Sequence, residues 1–115
     1  MKKTLVALAL SALTLSPTAV AATDNGVDWK EFCSLTSKCA EVIMTMRQRG
    51  VPVPETMAKF TAVYAEMPYL EDLVESMILE AYTLPRYSTE ANRERSIEDF
   101  TNRKYTECAS ALRNK

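Results

Sequence analysis

Three cysteines carry the most specific chemistry that this sequence offers, and their spacing limits how they can pair. Cys33 and Cys39 are six residues apart, and Cys108 lies far along the chain from both. Residues at that spacing on one helix have Cα atoms about 9 Å apart. A disulfide tolerates no more than about 7 Å. We therefore expect Cys108 to pair with Cys33 or with Cys39.

The chain contains no histidine, which removes most other catalytic and metal-binding arrangements. Ser-His and Cys-His nucleophilic systems and the usual zinc-ligand sets depend on that side chain. The two glycines are too few for a phosphate-binding loop, and no nucleotide-binding fingerprint occurs. The sequence predicts no catalytic residue, no metal site and no cofactor.

A pair of carboxylates is the one catalytic device still open, because a glycosidase needs only two acids a few ångström apart. The acidic residues nevertheless fall on positions predicted to be outward and solvated: Glu41, Glu66, Glu71, Asp72, Glu75, Glu80, Glu98 and Asp99. We expect a protein that is not an enzyme. A carboxylate-pair hydrolase acting on the cell wall is the less favoured alternative.

Residues 1–21 have the pattern of a secretory signal peptide. Two lysines precede an apolar run from Leu5 to Leu15, and small residues follow up to a cleavage site after Ala21. The apolar run is shorter than the roughly 20 residues that a membrane span needs. We expect an exported protein, periplasmic or secreted, without a membrane anchor after cleavage. Residues 22–115 are then one domain.

The charge of that domain limits its partners, and its size limits its stability. Residues 22–115 hold 12 basic and 15 acidic residues, a net charge of −3. Binding to nucleic acid or to an anionic membrane needs a basic excess, so we expect neither as a partner. A domain of this size has a thin margin of apolar burial over chain entropy. A disulfide formed in an oxidising compartment would therefore matter.

The first predicted helix has both of its ends marked. Asp28 is a good N-cap, with Glu31 in the capping-box position and Val27 and Phe32 placed for a hydrophobic staple. Gly50 is the expected residue just beyond the C-terminal end. At 100° per residue, the predicted inner stripe contains Phe32, Leu35, Cys39, Val42, Ile43 and Met46, with Gln48 among the outward or flanking residues.

Three further helices are predicted, and no segment alternates with the period of a strand. One spans Glu55 to Met67, and Pro68 opens the next, with a single kinked helix as the alternative. The inner face of that third helix contains Leu70, Leu73, Val74, Met77, Ala81 and Leu84. The last helix runs from about Thr89, after an N-cap at Ser88, to Arg113. Its inner stripe contains Ile97, Phe100, Thr101, Lys104, Cys108, Ala111 and Leu112, with the Lys104 amine in solvent.

The fold class that follows is all-α, a small bundle of three to four helices with one disulfide between the first and last. Cys33 lies five residues after Asp28 and Cys108 lies five before Arg113. Antiparallel helices with flush ends would bring these cysteines together, whereas pairing Cys39 would slide the last helix by about 9 Å. This register favours Cys33–Cys108 and leaves Cys39–Cys108 open. An unpaired Cys39 is expected to fill the core of a monomer, and a reactive or dimer-forming thiol is the alternative.

The sequence also resembles a group of small exported proteins encoded by phages and prophages of Gram-negative bacteria. The resemblance spans nearly all of the chain after residue 21. It rests on the following residues: Phe32-Cys33, Ile43-Met44, Arg47-Gln48, Gly50-Val51, Ala81-Tyr82, Pro85-Arg86-Tyr87-Ser88-Thr89, Ile97, Phe100, Asn102, Tyr105 and Cys108. It implies a periplasmic protein of phage or prophage origin with cysteines at positions 33 and 108, from which Cys39 is a departure. It implies no activity.

Two segments have the composition of a protein-binding surface. Tyr82, Arg86 and Tyr87 cluster between the last two helices, and Arg47 and Gln48 end the first helix. Arginine and tyrosine are enriched in interface hot spots. The explanation we favour at this point is structural: the tyrosines pack the corner, and each arginine neutralises the negative end of the helix before it.

Together these features lead us to expect a protein that binds and modulates or inhibits another envelope protein. Given the resemblance to phage proteins, superinfection exclusion or lysis control is the expected setting. A periplasmic chaperone or stress protein is the alternative. Such a protein would expose its apolar stripes when its carboxylates become protonated.

Overall fold

The computed structural model describes residues 28–115, so the predicted signal peptide and Val27 lie outside the described residues. All regular structure in the described range is helical, which confirms the all-α prediction. Four α-helices of seven residues or more are joined by one six-residue helix and one 3-10 turn. The elements are α1 (Trp29–Gln48), α2 (Val53–Lys59), α3 (Thr61–Glu66), the 3-10 turn (Pro68–Leu70), α4 (Glu71–Ala81) and α5 (Glu90–Leu112).

Asp28 and Gly50 mark the two ends of α1, as predicted, but the Asp28 side chain binds the amide of Lys30 and not that of Glu31, which the predicted capping box requires. The Asp28 side chain accepts a hydrogen bond from the backbone N–H of Lys30 at 3.4 Å, which satisfies one amide of the first turn. At the other end, Gly50 has a φ of 81°. The backbone N–H of Gly50 donates to Arg47 and that of Val51 donates to Met46, both at 3.0 Å. These two bonds constitute a Schellman motif.

The face of α1 that is buried differs from the predicted stripe. Val42 is 47% exposed, whereas Ala40 and Met44 are fully buried and Gln48 is 2% exposed. The centre of the buried arc is rotated by roughly 80° from the predicted one at 100° per residue. The reason is that α1 packs against both α4 and α5, so its buried arc has to face the space between two neighbours.

Pro68 opens a new helical element, as predicted, and does not kink a continuous helix. Met67 has φ −134° and ψ 73°, outside the helical region, and Pro68 begins the 3-10 turn that leads into α4. The preceding segment differs from the prediction, because the single helix from Glu55 to Met67 is in fact α2 and α3. It is interrupted at Phe60, whose side chain is only 5% exposed and belongs to the core.

Helix α5 begins one residue later than predicted. Its N-cap is Thr89, whose hydroxyl accepts a hydrogen bond from the backbone N–H of Asn92 at 3.2 Å, and Ser88 lies outside the cap. Phe100 is the buried anchor of this helix and packs in the core with residues of α1 and α4. Ala111, predicted to face inward, is exposed because it lies in the last turn.

Lys104 does not keep its amine in solvent. Its side chain is 9% exposed, and the amine donates hydrogen bonds to Glu80 of α4 and, at 2.9 Å, to Glu107. Glu80 also accepts a bond from Arg103 at 3.2 Å, so it is not the free outward acid that was predicted. A buried amine needs carboxylate partners, and α4 supplies one from a different part of the chain.

The disulfide joins Cys33 to Cys108, with Cα atoms 5.5 Å apart. The favoured pairing is therefore confirmed. The bond fixes α1 and α5 side by side at one end of the bundle, and Cys33 is fully buried. Cys39 is unpaired and buried in the core. Within residues 28–115, none of the helices has the length and apolar character that crossing a membrane requires.

Candidate functional site

The five predicted binding residues meet at one place, which we call the corner. It is formed by the end of α1 (residues 47–51) and by the segment from the end of α4 into α5 (residues 82–93). Hydrogen bonds connect these two segments across sequence separations of 31 to 39 residues. The sequence analysis thus selected residues that are neighbours in space. Most of their polar groups, however, are directed into the corner.

Gln48 is the residue that holds the corner closed. Its side-chain nitrogen donates to the backbone carbonyl of Pro85, and its side-chain oxygen accepts from the backbone N–H of Tyr87, both at 2.8 Å. The side chain is 2% exposed, although it was predicted to face outward. Because both ends of its amide are occupied, Gln48 acts as a structural bridge and presents nothing to a partner.

Arg47 and Tyr82 also have internal roles. The Arg47 guanidinium donates two hydrogen bonds to the carbonyl of Leu84, at 3.1 and 2.9 Å, and lies 5.2 Å from the centre of the Tyr82 ring. The Tyr82 hydroxyl donates to the carbonyl of Val51 at 2.6 Å and is 2.7 Å from the hydroxyl of Thr56, which then acts as the donor. The contacts of Tyr82 fit the structural explanation given for it, whereas the Arg47 guanidinium binds a carbonyl beyond the end of α4 and not the end of its own helix.

Arg86 is only partly used by the fold. Its Nε donates to the carbonyl of Gln48, the last residue of α1, at 3.1 Å. The rest of the guanidinium lies over Gly50, where an added Cβ would stand 2.7 Å from Cζ of Arg86. Arg86 therefore caps α1, while Arg47 of α1 caps the chain just after α4. The prediction that each arginine neutralises the end of the helix before it is wrong, because each arginine hydrogen-bonds a backbone carbonyl of the other segment.

Tyr87 is held by its backbone and leaves its ring partly free. Its N–H is bound by Gln48, and its carbonyl accepts a hydrogen bond from Nη1 of Arg93 at 3.1 Å. The side chain is 38% exposed. Tyr87 is thus an aromatic side chain on a fixed backbone, as is typical of an interface anchor.

An open hollow of about 560 Å³ lies on the α1–α5 side of the corner. Its lining residues are Thr45, Gln48, Arg49, Arg86, Glu90, Arg93, Glu94 and Ile97. The ion pairs found between residues 28 and 115 all lie elsewhere, around Glu80 and Lys104. Arg49, Arg86 and Arg93 consequently have no carboxylate within 4.0 Å in this part of the chain. We call these three residues the arginine rim.

Two members of the rim were not predicted. Arg93 lies one turn inside α5, and Arg49 directly follows the last residue of α1. Nothing local in the sequence shows that these two positions meet across the hollow. The only feature that these two positions share in the sequence is that both are arginines near helix ends, which is a common pattern.

The chain matches no known protein family, no curated protein and no solved structure. Its function therefore has to be inferred from its own geometry. Among residues 28–115, no group of three or more histidines, cysteines, aspartates or glutamates is placed to hold a metal ion. The arginine rim, with the exposed ring of Tyr87, is the arrangement in this part of the chain best suited to bind something.

Cys39 is a thiol that the fold keeps neutral. Burial raises its pKa above the ordinary value of 9.0. The folded state favours the neutral thiol of Cys39 over the thiolate. Relative to the unfolded chain, the folded state therefore has its full stability below pH 9 and loses stability as the pH rises through the raised pKa. We expect slow modification by a thiol reagent in the native protein at pH 8 and rapid modification in denaturant.

The raised pKa of Cys39 can also be detected through the pH dependence of the free energy of unfolding. The free energy of unfolding of the wild type should fall more steeply above pH 9 than that of Cys39→Ala, which lacks the thiol and controls for other titrating groups. Native-state labelling as fast as that of the unfolded chain would show instead that the thiol is accessible, as a dimer-forming Cys39 requires.

Proposed function

We propose that this chain is a small exported protein without enzymatic activity that binds another envelope protein through the arginine rim and so modulates or inhibits it. The observation that carries the proposal is that, within residues 28–115, three arginines line one open hollow and have no carboxylate partner. Superinfection exclusion or lysis control is the setting we propose, in keeping with the resemblance to proteins of phages and prophages.

Export is supported by the disulfide and by the leader pattern. The Cys33–Cys108 bond ties α1 to α5 across 75 residues of sequence. Such bonds form and persist in oxidising compartments such as the bacterial periplasm and are rare in the cytosol. The pattern of residues 1–21 supplies an export route to that compartment, in which the protein would meet its partner.

Binding is supported by how the rim is held. The Gln48 bridge and the Tyr87–Arg93 bond fix the backbone of the corner before any partner arrives. A preformed surface loses less conformational entropy on binding than a mobile one. Arginine guanidiniums that lack internal carboxylates keep donors for a partner, and Arg49 makes no side-chain hydrogen bond within residues 28–115. These features suit a docking surface rather than a purely structural corner.

The proposal is tested by site-directed photo-crosslinking in a Gram-negative host that exports the protein. A photo-crosslinking phenylalanine analogue replaces Glu94, an exposed residue that lines the hollow, or Ser110, an exposed residue at the far end of α5. We expect a discrete protein adduct from position 94 and none from position 110.

Substitutions in the position-94 background provide the matched comparison. Arg49→Ala should reduce the adduct several-fold, whereas Arg113→Ala, which removes an exposed arginine at the other end of α5, should leave it unchanged. A folded and exported protein that gives no adduct at position 94, or gives equal adducts from both positions, would contradict binding through the rim.

A further inference from the structure

We infer that the surface recognised by the arginine rim is an acidic segment of a partner protein, with an apolar side chain that packs beside Tyr87. This inference rests on the proposed function and adds the chemistry of the partner. It follows from the charges around the corner and from the two hollows that flank the segment leading into α5.

The first argument is local charge. The corner and the first turns of α5 carry five arginines, Arg47, Arg49, Arg86, Arg93 and Arg95, against the two acids Glu90 and Glu94. Arg47 is already committed to the carbonyl of Leu84. Carboxylates are the natural partners for the remaining guanidiniums, because the planar guanidinium fork matches a carboxylate with two parallel hydrogen bonds.

The charge of the whole domain distinguishes between a protein segment and a larger anionic surface as the ligand of the rim. Residues 28–115 hold 12 basic and 14 acidic residues, so the domain as a whole is slightly negative. A membrane would face many of these acids along with the rim. A short segment feels mainly the charges within a Debye length of about 8 Å at physiological salt. The hollow itself is lined by the three arginines of the rim and by two acids, Glu90 and Glu94. The charge distribution therefore favours a local acidic segment.

The third argument is the shape of the loop. Pro85, Arg86 and Tyr87 form no helix. Arg86 lines the hollow that contains the rim, whereas Pro85 and Tyr87 line a second open hollow of about 300 Å³. Leu84 and Phe100 add apolar surface to this second hollow, and its remaining lining residues are polar or charged: Asn92, Arg95, Ser96, Asp99 and Arg103. An extended partner segment crossing the loop would place carboxylates in the first hollow and an apolar side chain in the second.

Defined peptides test this inference without knowledge of the natural partner. The probe is a short synthetic peptide of aspartates and glutamates around one leucine, and its control replaces every acid by asparagine or glutamine. Binding to the disulfide-bonded protein is measured by calorimetry and by NMR shifts of backbone amides. We expect the acidic peptide to shift the amides of residues 48–50 and 86–93, with an affinity that falls as salt rises. The control should bind at least tenfold more weakly.

Substitutions assign the contact to the rim. Arg49→Gln should weaken the acidic peptide about threefold and Arg49→Glu about tenfold, because an exposed ion pair contributes modestly. Arg113→Gln is the matched control and should bind like the wild type. Equal binding of acidic and amide peptides, no binding of either, or shifts away from the corner would overturn the inference.

Other sources of anionic groups give distinct outcomes. Rim-dependent binding to phosphatidylglycerol vesicles, or salt-sensitive self-association that Arg49→Glu abolishes, would assign the surface to a membrane or to a second copy and overturn the inference. A protein adduct at position 94 that Arg49→Ala reduces, but that high salt and an excess of the acidic peptide leave unchanged, would retain the proposed function and overturn only the acidic chemistry.

Discussion

Replacing Cys33 and Cys108 together by alanine is expected to lower the free energy of unfolding by about 4.5 kcal/mol. The bond closes a sequence separation of 75 residues, and the chain-entropy model gives roughly that value for a loop of this length. Small domains are stable by about 5 to 15 kcal/mol in total. The variant should therefore be close to unfolding at 37 °C. Urea denaturation followed by far-UV circular dichroism measures the loss.

The matched control keeps the disulfide and changes the third cysteine. Cys39→Ala removes a sulfur that is 7% exposed and should shift the urea midpoint much less than the double variant does. Reduction of the wild type should reproduce the double variant, because both break the same bond. A double variant within 1 kcal/mol of the wild type would mean that the packing of α1 on α5 is sufficient without the bond.

Apart from the Cys33–Cys108 pairing, the features predicted correctly are those fixed by bonds within a few residues. Asp28 caps α1 through an amide two residues away, and at the other end the amides of Gly50 and Val51 bind carbonyls three and five residues before them. Pro68 starts a helical element because its ring fixes its own φ and disfavours a helical conformation at Met67. Both effects are local. Such signals depend only on neighbouring residues, so a single sequence is sufficient to detect them.

The buried faces were harder to predict, because they depend on which helices become neighbours. A hydrophobic stripe on an isolated helix is compatible with one packing partner, yet α1 has two. Val42 therefore points outward, and Gln48, a polar residue, is buried between segments that supply its hydrogen bonds. Lys104 is a similar case, since its buried amine depends on Glu80, which lies 24 residues away. No periodicity indicates such pairing.

At the corner, composition selected two segments but predicted neither their contact nor the roles of their residues. Only the fold brings the segments together, through hydrogen bonds such as those of Gln48. Which residues face inward is decided by backbone carbonyls and amides across the gap, as when Arg47 and Arg86 each cap the other segment. Arg49 and Arg93 remain without carboxylate partners as a result of that arrangement within residues 28–115. Only the folded corner distinguishes them from ordinary exposed arginines.

Replacing Gln48 by alanine is expected to cost about 3 kcal/mol of stability. The change removes both hydrogen bonds of the bridge and leaves the carbonyl of Pro85 and the N–H of Tyr87 without partners in a partly buried place. Each such unsatisfied group costs about 1–3 kcal/mol, and entry of water reduces the total. Thermal or urea unfolding, compared with the neighbouring exposed substitution Arg49→Ala, measures the effect. The control should change stability by less than 0.5 kcal/mol.

The amide of Tyr87 makes the prediction specific to the corner. In the wild type this N–H is bound to Gln48 at 2.8 Å, so it should exchange with solvent slowly. In Gln48→Ala it should exchange far faster relative to the amides around Phe100. Gln48→Glu retains an acceptor for Tyr87 but loses the donor to Pro85, so it should protect the amide while still losing stability. Unchanged exchange in Gln48→Ala would show that the corner is closed by its other contacts, and the rim would then be rigid without this bridge.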